Sequence, residues 1–70
     1  MADDLKDAIV NAMNVLPSDC VIRIELEQGS CIVTLVIDNA VIEKAFFPVT
    51  IEALAENINE AVDYAQSTLG

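Results

Sequence analysis

The sequence predicts a small α+β domain, with two helices and a three-stranded antiparallel meander in the order α-β-β-β-α. Apolar residues recur at helical spacing near both ends of the chain, and they alternate with polar residues in its middle part. Turn-forming residues separate the alternating runs. A chain of 70 residues holds one domain with one core, so we expect residues 1–70 to form a single unit with both helices on one sheet face.

The first helix is predicted at about residues 3–16. Asp3 or Asp4 can cap its first amides, and Pro17 ends it because the residue before a proline avoids the helical region. Its apolar face comprises Leu5, Ala8, Ile9, Ala12, Met13 and Leu16.

Three strands follow, each ended by turn chemistry or proline. Gln28, Gly29 and Ser30 supply the first reversal, Asp38-Asn39 the second, and Pro48 ends the last strand since it has no N–H for the ladder. The predicted strands cover about residues 20–27, 31–37 and 40–47.

The second helix is predicted at about residues 50–68. Thr50 is a good N-cap, and Val49 before it can pack as a hydrophobic staple onto Leu54. The apolar stripe of this helix comprises Ile51, Leu54, Ala55, Ile58, Ala61, Val62, Ala65 and Leu69. With two-residue turns fixing the strand register, the expected core is Leu54, Ile58 and Val62 over Ile22, Ile24, Val33 and Leu35.

This succession of elements resembles that of the double-stranded-RNA-binding domain. In that family the start of the second helix carries basic residues that contact RNA, whereas this chain has Glu52, Glu56 and Glu60 there. The resemblance implies a shape and argues against the activity.

Charge decides which partners are expected. Twelve acidic residues against three basic ones give a net charge of −9, and Lys6, Arg23 and Lys44 are scattered. We therefore expect no direct nucleic-acid binding and a preference for basic protein partners. The apolar runs are far shorter than the ~20 residues that span a bilayer, and the acidic N-terminus is unlike a secretion signal, so we expect no membrane and a cytoplasmic location.

Residues for catalysis and cofactor binding are scarce. The chain has no His, two Gly and two Cys, which excludes serine–histidine chemistry, phosphate loops and zinc spacing. Cys20 and Cys31 would lie at opposite ends of one hairpin, too far apart for a disulfide, so both are expected to be free structural thiols. We expect no enzyme, no catalytic residue, no metal and no cofactor.

The sheet face turned away from the helices is predicted to be largely apolar. Its β-branched residues have two interpretations, strand propensity alone or a buried interface, and the small size of the domain favours the interface. We expect a homo-oligomer joined through this face or through a strand edge. The candidate interface residues are Val21, Ile32, Val36, Val41 and Phe47.

The outer side of the second helix carries a ridge of carboxylates, which we call the acidic ridge: Glu52, Glu56, Glu60 and Asp63. It is either a solvated face that keeps the protein in solution or a docking surface for a basic partner. Phages and mobile elements use small acidic proteins of this type to inhibit host machinery. By that analogy, the sequence suggests a non-enzymatic interaction protein, with inhibition as its mode of action.

An alternative function is the sequestration of a small ligand by a homo-oligomer, in a pocket between subunits. Polar recognition there would fall to Arg23, Thr34, Lys44 and Tyr64.

Overall fold

The computed structural model of the chain describes residues 2–38 and 42–69 and has the predicted order of elements. The three strands form one antiparallel sheet in the order β1-β2-β3. The elements are α1 (Ala2–Val15), β1 (Cys20–Glu27), β2 (Ser30–Ile37), β3 (Ile42–Phe46) and α2 (Ile51–Leu69).

The β1–β2 hairpin has the predicted register. Ile22 pairs with Leu35 and Ile24 with Val33, around a turn in which Gly29 has a φ of 82°. A positive φ of this size at the third position of a turn is accessible to glycine at little cost, so Gly29 permits the tight reversal.

The connection between β2 and β3 is longer than predicted. Ile37 pairs with Ile42, so four residues separate the paired positions, against two for a turn at Asp38-Asn39. The third strand was expected at residues 40–47, of which positions 40 and 41 lie outside the described residues. A shift of two residues keeps every side chain of β3 on its predicted face, because the side-chain period of a strand is two. Asp38, the residue that follows β2, has a φ of 54°, a conformation that Asp tolerates.

The core lies between α2 and the central strand. Val33, Leu35 and Ile37 of β2 are fully buried, and the last two pack with Ala61 and Ala65 of α2. Small side chains on α2 allow the helix to approach the sheet closely.

The first helix packs mainly on α2 and only weakly on the sheet. Ala8 and Ala12 of α1 meet Ala55, Ile58 and Val62 of α2 in a second buried cluster. The half-buried Ile22 packs against this cluster from β1, which places α1 on the same side of the sheet as α2.

The predicted core is correct for most of its members and wrong for one. Ile58, Val62, Val33 and Leu35 are buried, whereas Leu54 and Ile22 are half-buried. Ile24 faces the helices as predicted but is 40% exposed. The reason is that β1 is an edge strand and α1 does not reach over it.

Candidate functional site

A local cap fixes where α2 begins, and so fixes the position of the acidic ridge. The backbone N–H of Ala53 donates to Thr50 Oγ1 at 3.0 Å, and the N–H of Leu54 donates to the Thr50 carbonyl at 2.9 Å. The predicted Val49–Leu54 staple is not formed, since Val49 is 92% exposed. Glu52 thus falls in the first turn, where the helix dipole favours a carboxylate.

The structure places the acidic ridge on the solvent side of α2. All four of its side chains, from Glu52 to Asp63, are exposed, and the buried residues Ala55, Ile58 and Val62 lie on the other side of the helix. None of the four has an ion-pair partner in residues 2–38 or 42–69. No helix in this part of the chain is both long enough and apolar enough to cross a bilayer.

A second row of carboxylates, on α1, runs beside this ridge and is not among the site residues predicted from the sequence. Asp4 and Asp7 of α1 face Glu52 and Glu56 of α2 across a groove of about 460 Å³, which we call the acidic groove. Its other lining residues are Ala8, Asn11, Ala55 and Asn59. The signal was present in the sequence, because Asp4, Asp7 and Asn11 recur at helical spacing on the side of α1 away from its apolar stripe.

The three basic side chains are not among the residues that line the acidic groove. Lys6 borders an apolar surface with Ile9, Val10 and Ile51, Arg23 lies on the outer sheet face, and Lys44 lies against Tyr64. The two rows of carboxylates give this face a negative potential. The described residues hold no cluster of three or more potential ligands placed to bind a metal ion.

The four candidate ligand-binding residues separate into two pairs on opposite sheet faces. Lys44 Nζ lies 5.0 Å from the centroid of the Tyr64 ring, on the helix side of β3. Arg23 and Thr34 are direct cross-strand neighbours on the outer face. A single chain therefore does not bring the four side chains together.

The outer sheet face, predicted to be an interface, is open to solvent in the single chain. Val21 is 53% exposed, while Ile32 and Val36 on the central strand are half-buried. Phe47, which is 69% exposed, lies beyond the end of β3 and is grouped with Leu26 and Cys31 of the helix-facing side, not with the outer face. Val41 lies outside the described residues. An interface on this face remains a prediction.

A large apolar cavity lies where the β1–β2 turn approaches the start of α2. It has a volume of about 600 Å³ and no charged residue among those that line it. Its walls are Leu26, Gly29, Ser30, Cys31, Phe47, Pro48, Val49, Thr50, Ile51 and Leu54. The cavity could not be predicted from the sequence, because its walls come from segments far apart in the chain.

A second apolar groove, of about 190 Å³, separates α1 from β1. Ile9 and Met13 form its helical side, Ile22 and Ile24 its strand side, and Ile58 of α2 also contributes to its lining. Met13 is 80% exposed and Leu26, further along β1, is 74% exposed. Apolar surface of this extent beside a sheet edge is uncommon in a monomer.

The two cysteines are free and differ in accessibility. Cys20 is buried at the start of β1, and its burial, together with the neighbouring Asp19 carboxylate, raises the pKa of its thiol. A protonated, buried thiol is unreactive, as expected for a structural cysteine. Cys31 is half-buried on the wall of the large apolar cavity.

Fold and surface together define the class of this protein as a small α+β domain with one strongly acidic helical face and one apolar sheet edge. Comparison with protein-family models, with curated proteins and with solved structures finds no match.

Proposed function

We propose that this chain is a non-enzymatic binding protein whose acidic helical face docks on the basic surface of a partner protein. The observation that carries this proposal is the acidic groove, in which two helices bring carboxylates together while the side chains of Lys6, Arg23 and Lys44 lie on other surfaces. On a partner that binds nucleic acid, such a face would occupy the basic site and so inhibit it.

The acidic groove suits guanidinium and ammonium groups. A side chain of Arg entering between the helices can donate to Glu52 and Glu56 on one wall and to Asp7 on the other, and Arg pairs with carboxylates in a planar, two-pronged geometry. Asn11 and Asn59 offer amide oxygens as further acceptors. Binding a cation also relieves the repulsion between carboxylates four residues apart on α2.

Long-range attraction should make this association fast and salt-dependent. The net charge of −9 steers basic partners toward the domain, and exposed charges are screened beyond about 8 Å at physiological ionic strength. Complementary charge mainly raises the rate of encounter.

A fluorescent oligo-arginine peptide tests the proposal directly. Substituting Glu52→Gln with Glu56→Gln should weaken its binding and lower the salt dependence. The matched control substitutes Glu27→Gln with Glu43→Gln on the outer sheet face, which removes an equal number of charges away from the groove. Equal weakening in both double variants would mean that the peptide senses only the net charge and that the groove is a solvated face.

A second candidate function, ligand sequestration, requires a subunit interface, because a single chain separates the candidate residues into two pairs. Arg23 with Thr34 and Lys44 with Tyr64 lie on opposite faces, so a ligand held by all four must lie between subunits. Native mass spectrometry of the purified protein should then show an oligomer that is heavier than its protein chains by the mass of a bound ligand. The Tyr64→Ala variant should lose this extra mass. An oligomer without added mass would contradict this function.

A further inference from the structure

The strand β1 is a long and unprotected sheet edge. It is the outer strand in the order β1-β2-β3, spans eight residues and contains no proline. Edge strands of this length are usually shortened, bulged or covered, because their free backbone groups pair readily with another strand. Ile24 and Leu26 are 40% and 74% exposed, so α1 does not cover this edge.

The hairpin turn determines which residues of β1 direct their backbone N–H and C=O groups to β2 and which direct them to the open edge. Glu27 and Ser30 pair across the two-residue turn, and hydrogen-bonded positions alternate along an antiparallel ladder. Counting back from Glu27, the backbone N–H and C=O groups of Ile22, Ile24 and Leu26 point to the open edge. These same three side chains face the helices, so an added strand would find apolar side chains and free backbone groups together.

We infer that the occupant of this edge is a second copy of the chain, paired antiparallel through β1 about a two-fold axis at Ile24. In this register Ile24 lies opposite Ile24 of the partner subunit, and Ile22 lies opposite Leu26 of the partner subunit. The two sheets become one six-stranded sheet, with the helices of both subunits on the same face. In a two-fold contact of this kind, the same surface of each subunit packs against its counterpart on the other subunit.

Charge complementarity selects this register. Arg23 lies opposite Glu25 of the partner subunit, and the symmetry produces the pair twice. Within one chain Arg23 is opposite Thr34 and Glu25 is opposite Ile32, so neither has an ion-pair partner in the described residues. A slip of two residues in either direction would place Arg23 against Arg23 or Glu25 against Glu25, and like charges directly opposite are destabilising.

The groove between α1 and β1 adds apolar surface to the same contact. Met13 is 80% exposed and Ile9 39%, and both flank the open edge on the helix side. A stable dimer usually buries about 800 Å² on each partner, more than a strand edge alone supplies, and these side chains extend the buried area onto α1. The acidic groove lies on the other side of α1, so the dimer leaves it free, and the inference does not depend on the proposed function.

Charge-reversal variants test the dimer and its register. Sedimentation velocity should show a dimer for the natural chain, while Arg23→Glu alone and Glu25→Arg alone should each weaken it at least about tenfold. In each single variant both cross-subunit pairs become like-charged. The double variant, Arg23→Glu with Glu25→Arg, should restore the dimer, and so should mixing the two single variants, because each then offers the charge that the other lacks. Glu43→Arg on β3 is the matched control and should leave the mass unchanged.

Three outcomes would overturn the inference. A natural chain that stays monomeric at high micromolar concentration excludes the dimer. Failure of the mixed or double variants to associate, with helix content intact by circular dichroism, excludes the register. Dissociation by Val36→Glu, with Arg23→Glu still dimeric, would assign the interface to the outer sheet face.

Discussion

The ammonium of Lys44 lies 5.0 Å from the centroid of the Tyr64 ring and 5.7 Å from that of Phe46. Lys44 is the one charged residue on the helix-facing side of the sheet within the described strands, and it pairs with the fully buried Leu35. The two aromatic rings give this cation a favourable place beside the core. The contact therefore links the β3 edge to the second half of α2.

We predict a measurable coupling between Lys44 and Tyr64. In a double-mutant cycle with Lys44→Met and Tyr64→Leu, urea unfolding should give a coupling free energy of about 0.5–1 kcal/mol, the range for a cation over an exposed ring. Methionine keeps an apolar stem at position 44, so the cycle isolates the charge. Tyr64→Phe should retain most of the coupling, and a coupling near zero would mean that the rings do not stabilise the ammonium.

The cap at Thr50 should contribute to stability. Thr50→Ala removes the acceptor for the Ala53 N–H and should lower the free energy of unfolding by about 1 kcal/mol. Thr50→Ser keeps the hydroxyl and is the matched control. Thermal unfolding compares the three proteins, and an unchanged midpoint for Thr50→Ala would show that water replaces the cap at no cost.

Truncating a core side chain should lower the free energy of unfolding much more than truncating a surface side chain. Ile58 is 1% exposed, and Ile58→Ala should lower the free energy of unfolding by about 2–5 kcal/mol through lost burial and a residual cavity. Val49 is 92% exposed, and Val49→Ala should change it by less than about 0.5 kcal/mol. Similar effects of the two substitutions in urea unfolding would contradict the packing of α2 on the sheet.

The alternation of side chains was sufficient to predict the sheet. Val33, Leu35 and Ile37 form the buried face of β2 as predicted, because a strand with one covered face tolerates no slip by one residue. The length of the β2–β3 connection could not be predicted, since a two-residue and a four-residue connection place the same side chains on the same face. The buried face was thus predictable, but the pairing of Ile37 with Ile42 was not.

The relative placement of the helices could not be read from the sequence. Helical spacing identifies the outer side of each helix but not which sides of two helices lie next to each other. Alanines at positions 8 and 55 allow α1 to pack on α2, and this brings Asp7 beside Glu56 in the acidic groove. The same placement leaves Ile24 exposed at the sheet edge, where the sequence predicts a core residue.

The stability of the fold should fall at alkaline pH because of Cys20. Burial first, and the Asp19 carboxylate second, raise the pKa of its thiol in the folded protein above the value of about 8.5 for an unperturbed cysteine. Between these two pKa values the unfolded chain has released the proton and the folded chain has not, so each rise in pH favours unfolding. The contribution of Cys20 to stability is intact below about pH 8.5. It is lost as the pH rises through the pKa that the thiol has in the folded protein. Urea unfolding across this range should show a steeper loss of stability for the natural chain than for Cys20→Ala. Cys31→Ala is the matched control and should keep the steep loss, while equal slopes for the natural chain and Cys20→Ala would contradict the raised pKa.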